Sequence, residues 1–167
     1  MRITTERLEI RPFEENDAQA MVRLLRNPEI AKTYMVPPLE SDEAAMPLFA
    51  RFRTLSEDPE RAVVGLFDGG NLVGFMNDVE RNGTEIEMGY VIDPVYWNQG
   101  YATEALKAMI AELFARGWET VICGAFEENP ASLRVMEKSG MALIDREDII
   151  SYRGKDRRCL YRAVCRK

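Results

Sequence analysis

Leu8 and Ile10, with Ile3 before them, alternate with charged residues as far as Pro12, a spacing that predicts a strand closed by a proline. From Ala18 to Arg26 the interval changes: Met21, Leu24 and Leu25 recur at helical spacing behind Asp17, which reads as an N-cap, and Asn27-Pro28 ends the run. A second helix is expected to open at Ser41, where Asp42 and Glu43 suit the positive end of a helix dipole. It should run towards Leu55, with Pro47 as a disruption. Between Ala62 and Ile92, three short β-rich runs are divided by Asp68-Gly69-Gly70-Asn71 and by Arg81-Asn82-Gly83. Both are hairpin-turn signals, so an antiparallel meander is expected.

The clearest helical stripe follows: Ala102, Ala105, Leu106, Met109, Ile110, Leu113 and Phe114 share one face, and Gly117 stands where a C-terminal cap belongs. The β-branched run Thr120 to Ala125 comes next. Strand, helix and strand therefore form a crossover, which should be right-handed with its two strands parallel. Asn129-Pro130 opens another helix that ends at Gly140. Two last strand-like runs, Ala142 to Ile150 and Arg158 to Val164, are joined as a hairpin through Arg153-Gly154-Lys155-Asp156.

With 167 residues, 46% apolar and 30% charged, the chain fits one compact domain over residues 1–167. The 28 acidic and 22 basic side chains give a net charge of −6, a field that repels phosphate backbones and argues against a general nucleic-acid partner. No apolar run approaches the ~20 residues needed to cross a bilayer, and Met1 to Arg7 has no signal-type core, so a cytoplasmic protein without a membrane partner is expected. Cys123, Cys159 and Cys165 have no C-x-x-C spacing, and histidine is absent. Ser-His and Cys-His nucleophile pairs are thereby excluded, and no metal site is expected. Chemistry must rest on carboxylates, hydroxyls, thiols, amines and the backbone.

The junction from Gly89 to Ala105 sets Gly100, Ala102 and Thr103 at the first turn of the strongest helix, directly after a strand. Helix-start N–H groups lack intrahelical acceptors, and small side chains let an anion such as a pyrophosphate approach them. Neither G-x-x-x-x-G-K-[ST] nor G-x-G-x-x-G opens this helix, so the ligand is not held in either of those nucleotide-binding ways.

Here the chain resembles the GNAT N-acetyltransferases, in the branch similar to ribosomal-protein N-acetyltransferases. Thr5-Glu6-Arg7-Leu8, Arg11-Pro12-Phe13 and Asp17-Ala18 look like that branch's opening, and Tyr96 to Ala105 resembles its acetyl-CoA loop. Asn129-Pro130-Ala131-Ser132-Leu133 and Glu137 to Met141 resemble its second motif. The superfamily loop [QR]-x-x-G-x-[GA] matches at Gly100 and Ala102, but Trp97 stands in the Gln/Arg place and is expected to pack rather than touch ligand. The resemblance implies an α+β single domain: a mixed, mostly antiparallel sheet with a central splayed parallel pair and flanking helices. It also implies acetyl-CoA as donor, held by main-chain donors of Asn98, Gln99, Gly100, Tyr101, Ala102 and Thr103. Tyr90, Val91 and Ile92 inherit contacts to the pantetheine arm, with Gly89 as a candidate bulge.

Acetyl transfer requires a neutral amine, a stabilised oxyanion and a protonated leaving thiol. An α-amine near pKa ~8 is roughly one-tenth neutral at pH 7, whereas a lysine near ~10.4 is far less so. Glu85 and Glu87 share one face of the strand entering the loop, and Glu87 is the candidate base, acting through water. Asp145, Glu147 and Asp148 are alternatives. Asn129 suits helix capping with its oxygen, while by resemblance its NH2 group serves a ligand carbonyl. Ser132 is placed to donate to the departing thiolate. Many superfamily members carry a tyrosine acid seven residues after the asparagine, where this chain has Met136, a core residue. Cys123 could in principle carry an acetyl-cysteine, but no histidine or adjacent lysine activates it, and it reads as a buried inert thiol.

Direct transfer to a primary amine follows, by resemblance at a peptide or protein N-terminus. Polyamines, amino acids or antibiotics as acceptors are alternatives, as is a non-catalytic acyl-CoA-binding sensor. Either a monomer or a homodimer is compatible. Met35 and Met46, near the first helices, are candidates for an acceptor groove.

Overall fold

The computed structural model describes residues 1–167 as eight strands and four α-helices, with short 3-10 turns between them. In chain order these are β1 (Ile3–Thr4), β2 (Glu9–Arg11), α1 (Ala18–Leu25), α2 (Asp42–Glu57), β3 (Val64–Asp68), β4 (Asn71–Asn82), β5 (Glu85–Ile92), α3 (Tyr101–Ala115), β6 (Thr120–Phe126), α4 (Pro130–Lys138), β7 (Ala142–Tyr152) and β8 (Lys155–Cys165). The strand order is β1-β2-β3-β4-β5-β6-β8-β7. This is the expected α+β class, with β5 and β6 as the parallel pair in a mostly antiparallel sheet. Residues cluster into two compact units, Met1–Asn77 with Tyr90–Tyr101, and Asp78–Gly89 with Ala102–Lys167. The chain crosses from one to the other along β4, along β5 and at the start of α3.

In the first unit, α1 and α2 bury Met21, Leu24, Leu25 and Phe49 together with Phe67 and Phe75 of the sheet. Aromatic edges lock this core, with Phe52 and Phe75 centroids 5.1 Å apart and Tyr34 and Phe75 5.3 Å apart. Asp17 holds the expected N-cap position of α1 but makes no side-chain capping bond to it. It closes the preceding 3-10 turn, accepting from the Glu14 N–H at 2.7 Å and pairing with Arg11 at 2.8 Å, because a buried guanidinium competes better for its carboxylate than helical N–H groups do. Ser41 caps α2 as expected, accepting from the Ala44 N–H at 3.1 Å. Pro47 does not disrupt this helix, which continues to Glu57. One lost backbone hydrogen bond near the first turns is offset by the cap and by burial of Ala45 and Phe49.

In the second unit, α3 buries Ala105, Leu106, Met109, Ile110 and Leu113, the predicted stripe. Gly117 has φ 100°, the left-handed value a helix-ending glycine supplies. The parallel ladder sets Glu85 against Thr120, Ile86 against Val121 and Glu87 against Ile122, and its register ends at Glu87 although both strands continue. β7 and β8 extend beyond the runs read from sequence and turn tightly at Arg153 (φ 51°) and Gly154 (φ 73°). Their ladder is irregular: Leu143 faces Arg162 and Glu147 faces Leu160, so Ile144, Asp145 and Arg146 stand against the single residue Tyr161.

Close approach, more than turn chemistry, fixes Gly74 on β4. A Cβ there would lie 2.1 Å from the Val91 carbonyl oxygen on β5. Gly74→Ala is expected to lower stability by about 2 kcal/mol or more, read by thermal unfolding, because the obstacle is backbone and cannot swing away.

Candidate active site

The turn between β5 and α3 is held from several sides. Asp93 accepts from the Val95 N–H at 3.1 Å, and the Trp97 indole N–H donates to the Ile92 carbonyl at 2.7 Å. Trp97 is 43% exposed, so it secures the loop by this hydrogen bond and not by the packing expected of it. Arg7 Nη1 donates to the Gln99 carbonyl at 2.9 Å, its guanidinium lies 4.1 Å from the Tyr101 ring centre, and the Tyr101 hydroxyl donates to Asp68. Clamped in this way, Asn98 (φ 60°) and Gly100 (φ 86°) both take left-handed backbone, a geometry that turns main-chain N–H groups into an anion-binding concavity. The first turn of α3 follows directly, and there Ala102 and Thr103 keep side-chain bulk low. This backbone fits the pyrophosphate of a coenzyme. Tyr101, Val91 and Ile92 have buried side chains, so any contact they make to such a ligand is through the main chain. Tyr90 is half-buried.

Glu87 occupies the last rung of the β5–β6 ladder with its side chain 11% exposed. Its neighbour in the alternation, Glu85, is solvent-exposed. Arg146 Nη1 lies 3.0 Å from Glu87 Oε2, an ion pair on a buried oxygen. The same guanidinium lies 3.9 Å from the Tyr161 ring centre, 3.7 Å from Glu80 and 3.6 Å from Asp148. Burial pushes the Glu87 carboxyl above its ordinary range, and Arg146 opposes that rise without cancelling it. Burial, then a hydrogen bond to Asp148, likewise hold the Tyr161 phenol well above its usual value. A carboxylate with raised basicity is suited to take a proton from water or from an amine.

The rival carboxylates are placed differently. Glu147 is engaged by Arg158 at 2.6 Å on the exposed face, Asp145 is exposed, and Asp148 pairs with Arg146. Asn129 caps α4, its side chain accepting from the Ser132 N–H at 3.2 Å, so the cap uses the oxygen of the carboxamide. Ser132 is half-buried in the first turn of that helix, and Met136 is fully buried core. Cys123 is fully buried, and burial first, then the nearby Glu87 charge, raise its thiol far above the range in which a thiolate forms. Met35 and Met46 are exposed.

Three participants were not singled out from sequence. Arg146 and Tyr161 meet only because β7 carries extra residues opposite Tyr161, and no glycine marks that irregularity. Arg7 belongs to the quoted opening motif, but nothing local shows that it reaches a loop 92 residues away.

An acetyltransferase (GNAT) domain profile matches residues 7–142. The chain is 33% identical over 143 residues to the Bacillus subtilis N-acetyltransferase YnaD, covering 84% of this chain and 82% of that one. A GNAT-family acetyltransferase structure from Bacillus anthracis superposes with a TM-score of 0.84 at 26% identity, covering 99% and 98% of the two chains. RimL, a ribosomal L7/L12 α-N-protein acetyltransferase solved with coenzyme A, has the same fold, with a TM-score of 0.87 at 18% identity and coverage of 99% and 98%. No helix here is long and apolar enough to cross a membrane.

Gly100→Val forces a β-branched residue into left-handed backbone and sets its Cβ 3.4 Å from Arg7. Coenzyme A affinity, measured by calorimetry, should fall about tenfold or more, the equivalent of the ~1–2 kcal/mol cost of that conformation; unchanged affinity would remove the loop from the site. For Glu87 the folded state favours the protonated form. Its contribution is therefore fully present below the unfolded carboxyl pKa of about 4.3 and is lost as pH rises through the raised folded value. Glu87→Gln should melt above the wild type at neutral and alkaline pH, with the gap closing towards about pH 4.

Proposed function

The chain belongs to the acetyltransferase (GNAT) family, and on that premise we propose that this N-acetyltransferase moves an acetyl group from acetyl-CoA directly to the α-amine of a peptide or protein N-terminus, with Glu87 as the general base. The observation that carries the reading is the mostly buried Glu87 carboxylate, its side chain 11% exposed and Arg146 3.0 Å from Oε2. The raised basicity of the carboxyl brings it nearer the amine it must deprotonate, directly or through a water. An α-amine at ~8 lies within reach of such a base more readily than a lysine at ~10.4, which favours the N-terminal acceptor.

Bound acetyl-CoA supplies the acetyl group and the departing thiolate. In this reading the main chain of Asn98, Gln99, Gly100, Tyr101, Ala102 and Thr103 receives the diphosphate. The backbone of Tyr90, Val91 and Ile92 receives the pantetheine arm. The Asn129 carboxamide retains its NH2 group for a ligand carbonyl while its oxygen caps α4. Ser132 donates a proton to the sulfur as it leaves, in the absence of a tyrosine at Met136. The fold shared with RimL, named as an α-N-protein acetyltransferase, supports the same class of acceptor.

The test is release of free thiol from acetyl-CoA with three acceptors: peptides with a free N-terminus, the same peptides blocked at the N-terminus but bearing lysine, and polyamines. Only the first should release thiol efficiently. Efficient turnover of polyamines alone would overturn the acceptor assignment. Glu87→Gln should reduce kcat about 100-fold or more at neutral pH, with partial recovery as pH rises and with coenzyme A affinity nearly unchanged. A wild-type rate and pH profile in that variant would refute the base.

A further inference from the structure

The irregular stretch of β7 has a consequence for the base. Regular pairing after Leu143 opposite Arg162 would set one residue against Tyr161, but three stand there, Ile144, Asp145 and Arg146, before the ladder resumes at Glu147 opposite Leu160. β7 therefore carries two residues more than β8 at this point, the kind of insertion that re-aims a side chain. The side chain re-aimed is Arg146, whose planar guanidinium stacks 3.9 Å from the Tyr161 ring centre and reaches Glu87 Oε2 at 3.0 Å. Stacking fixes the plane of the cation and leaves its edge towards the carboxylates.

We propose that Arg146 is the positioning residue of the active-site base, held by the β7 bulge and the Tyr161 ring so that the Glu87 carboxylate is oriented and ionised. The proposal rests on the reading of Glu87 as the base and adds the group that sets its protonation state. Every charged or titratable group around Glu87 is consistent with that division of labour. Glu80 on β4 and Asp148 on β7 are acidic and favour the protonated form of Glu87, as does burial. Cys123 on β6 and Cys159 and Tyr161 on β8 are neutral at physiological pH, since burial raises all three. Arg146 is the cation that offsets them. It lies 3.0 Å from Glu87 Oε2, and this attraction keeps the carboxylate charge in place.

Arg146→Met keeps an unbranched stem against Tyr161 and removes the charge. The acceptor amine titrates in any rate profile, so the direct readout is the Glu87 carboxyl itself. In protein carrying 13C-labelled glutamate side chains, the Glu87 carbon is identified as the NMR signal missing from Glu87→Gln. Its titration midpoint should move up by about one unit or more in Arg146→Met, a tenfold change in the ionised fraction on the acid side. The rate on the acid side of the midpoint should fall by a comparable factor and recover as pH rises, with coenzyme A affinity unchanged. Arg146→Gln reads the same shift should the methionine variant fail to fold, and Arg146→Lys should return the midpoint most of the way to the wild-type value. A midpoint that stays put or moves down in the neutral variants overturns the proposal. A Glu87→Gln enzyme of undiminished rate overturns the base instead, whatever the midpoint does, so the two failures are told apart.

Discussion

A carboxylate removed from water costs several kcal/mol unless another charge or a set of donors replaces the lost hydration. Glu87 is given only part of that compensation, one guanidinium at ion-pair distance. The residual cost is visible as a carboxyl held above its ordinary range. The surrounding β5, β6, β7 and β8 must be rigid enough to maintain this imbalance, and a core of Ile122, Phe126, Cys159 and Tyr161, packed against Ile144 and Ile150, gives them that rigidity. Stability is reduced at this one position, and the carboxyl left there is more basic than an ordinary glutamate.

The β5–α3 turn solves a different problem. Asn98 and Gly100 take left-handed backbone that ordinary residues resist, the geometry proposed to receive a diphosphate, and side-chain contacts brace the turn. Arg7, Trp97 and Tyr101 supply those contacts through the Gln99 carbonyl, the Ile92 carbonyl and Asp68. None of the three needs to touch a ligand to matter for it. Trp97 therefore stands in place of the Gln or Arg of the superfamily pattern without loss of loop geometry.

Local rules accounted for what is local. Glycine turns at Gly69-Gly70 and Gly83 delimit β3, β4 and β5, the stripe from Ala105 to Leu113 is buried, Gly117 ends α3, and Asn129 caps α4, all as their spacing predicts. Glu85 and Glu87 share one face of β5, so alternation alone did not tell exposed Glu85 from partly buried Glu87. Where competition over distance decides the outcome, spacing fell short. Asp17 bonds Arg11 in preference to a helix start, and Pro47 sits inside a helix whose burial and cap outweigh it. Arg146 gains its role from an insertion in a strand that no turn residue announces. These are tertiary effects, and a charge run such as Asp145-Arg146-Glu147-Asp148 reads as a solvated face until the pairing register is known.

The central claim is that the Glu87 carboxylate, set by Arg146, is the base that takes the proton of the acceptor. A high-resolution structure with acetyl-CoA bound tests it most directly. An ordered water or the acceptor nitrogen is expected within hydrogen-bond distance of the Glu87 carboxylate, on the side of the thioester. The claim is contradicted if neither reaches Glu87 in that complex while Asp145, Glu147 or Asp148 faces the thioester.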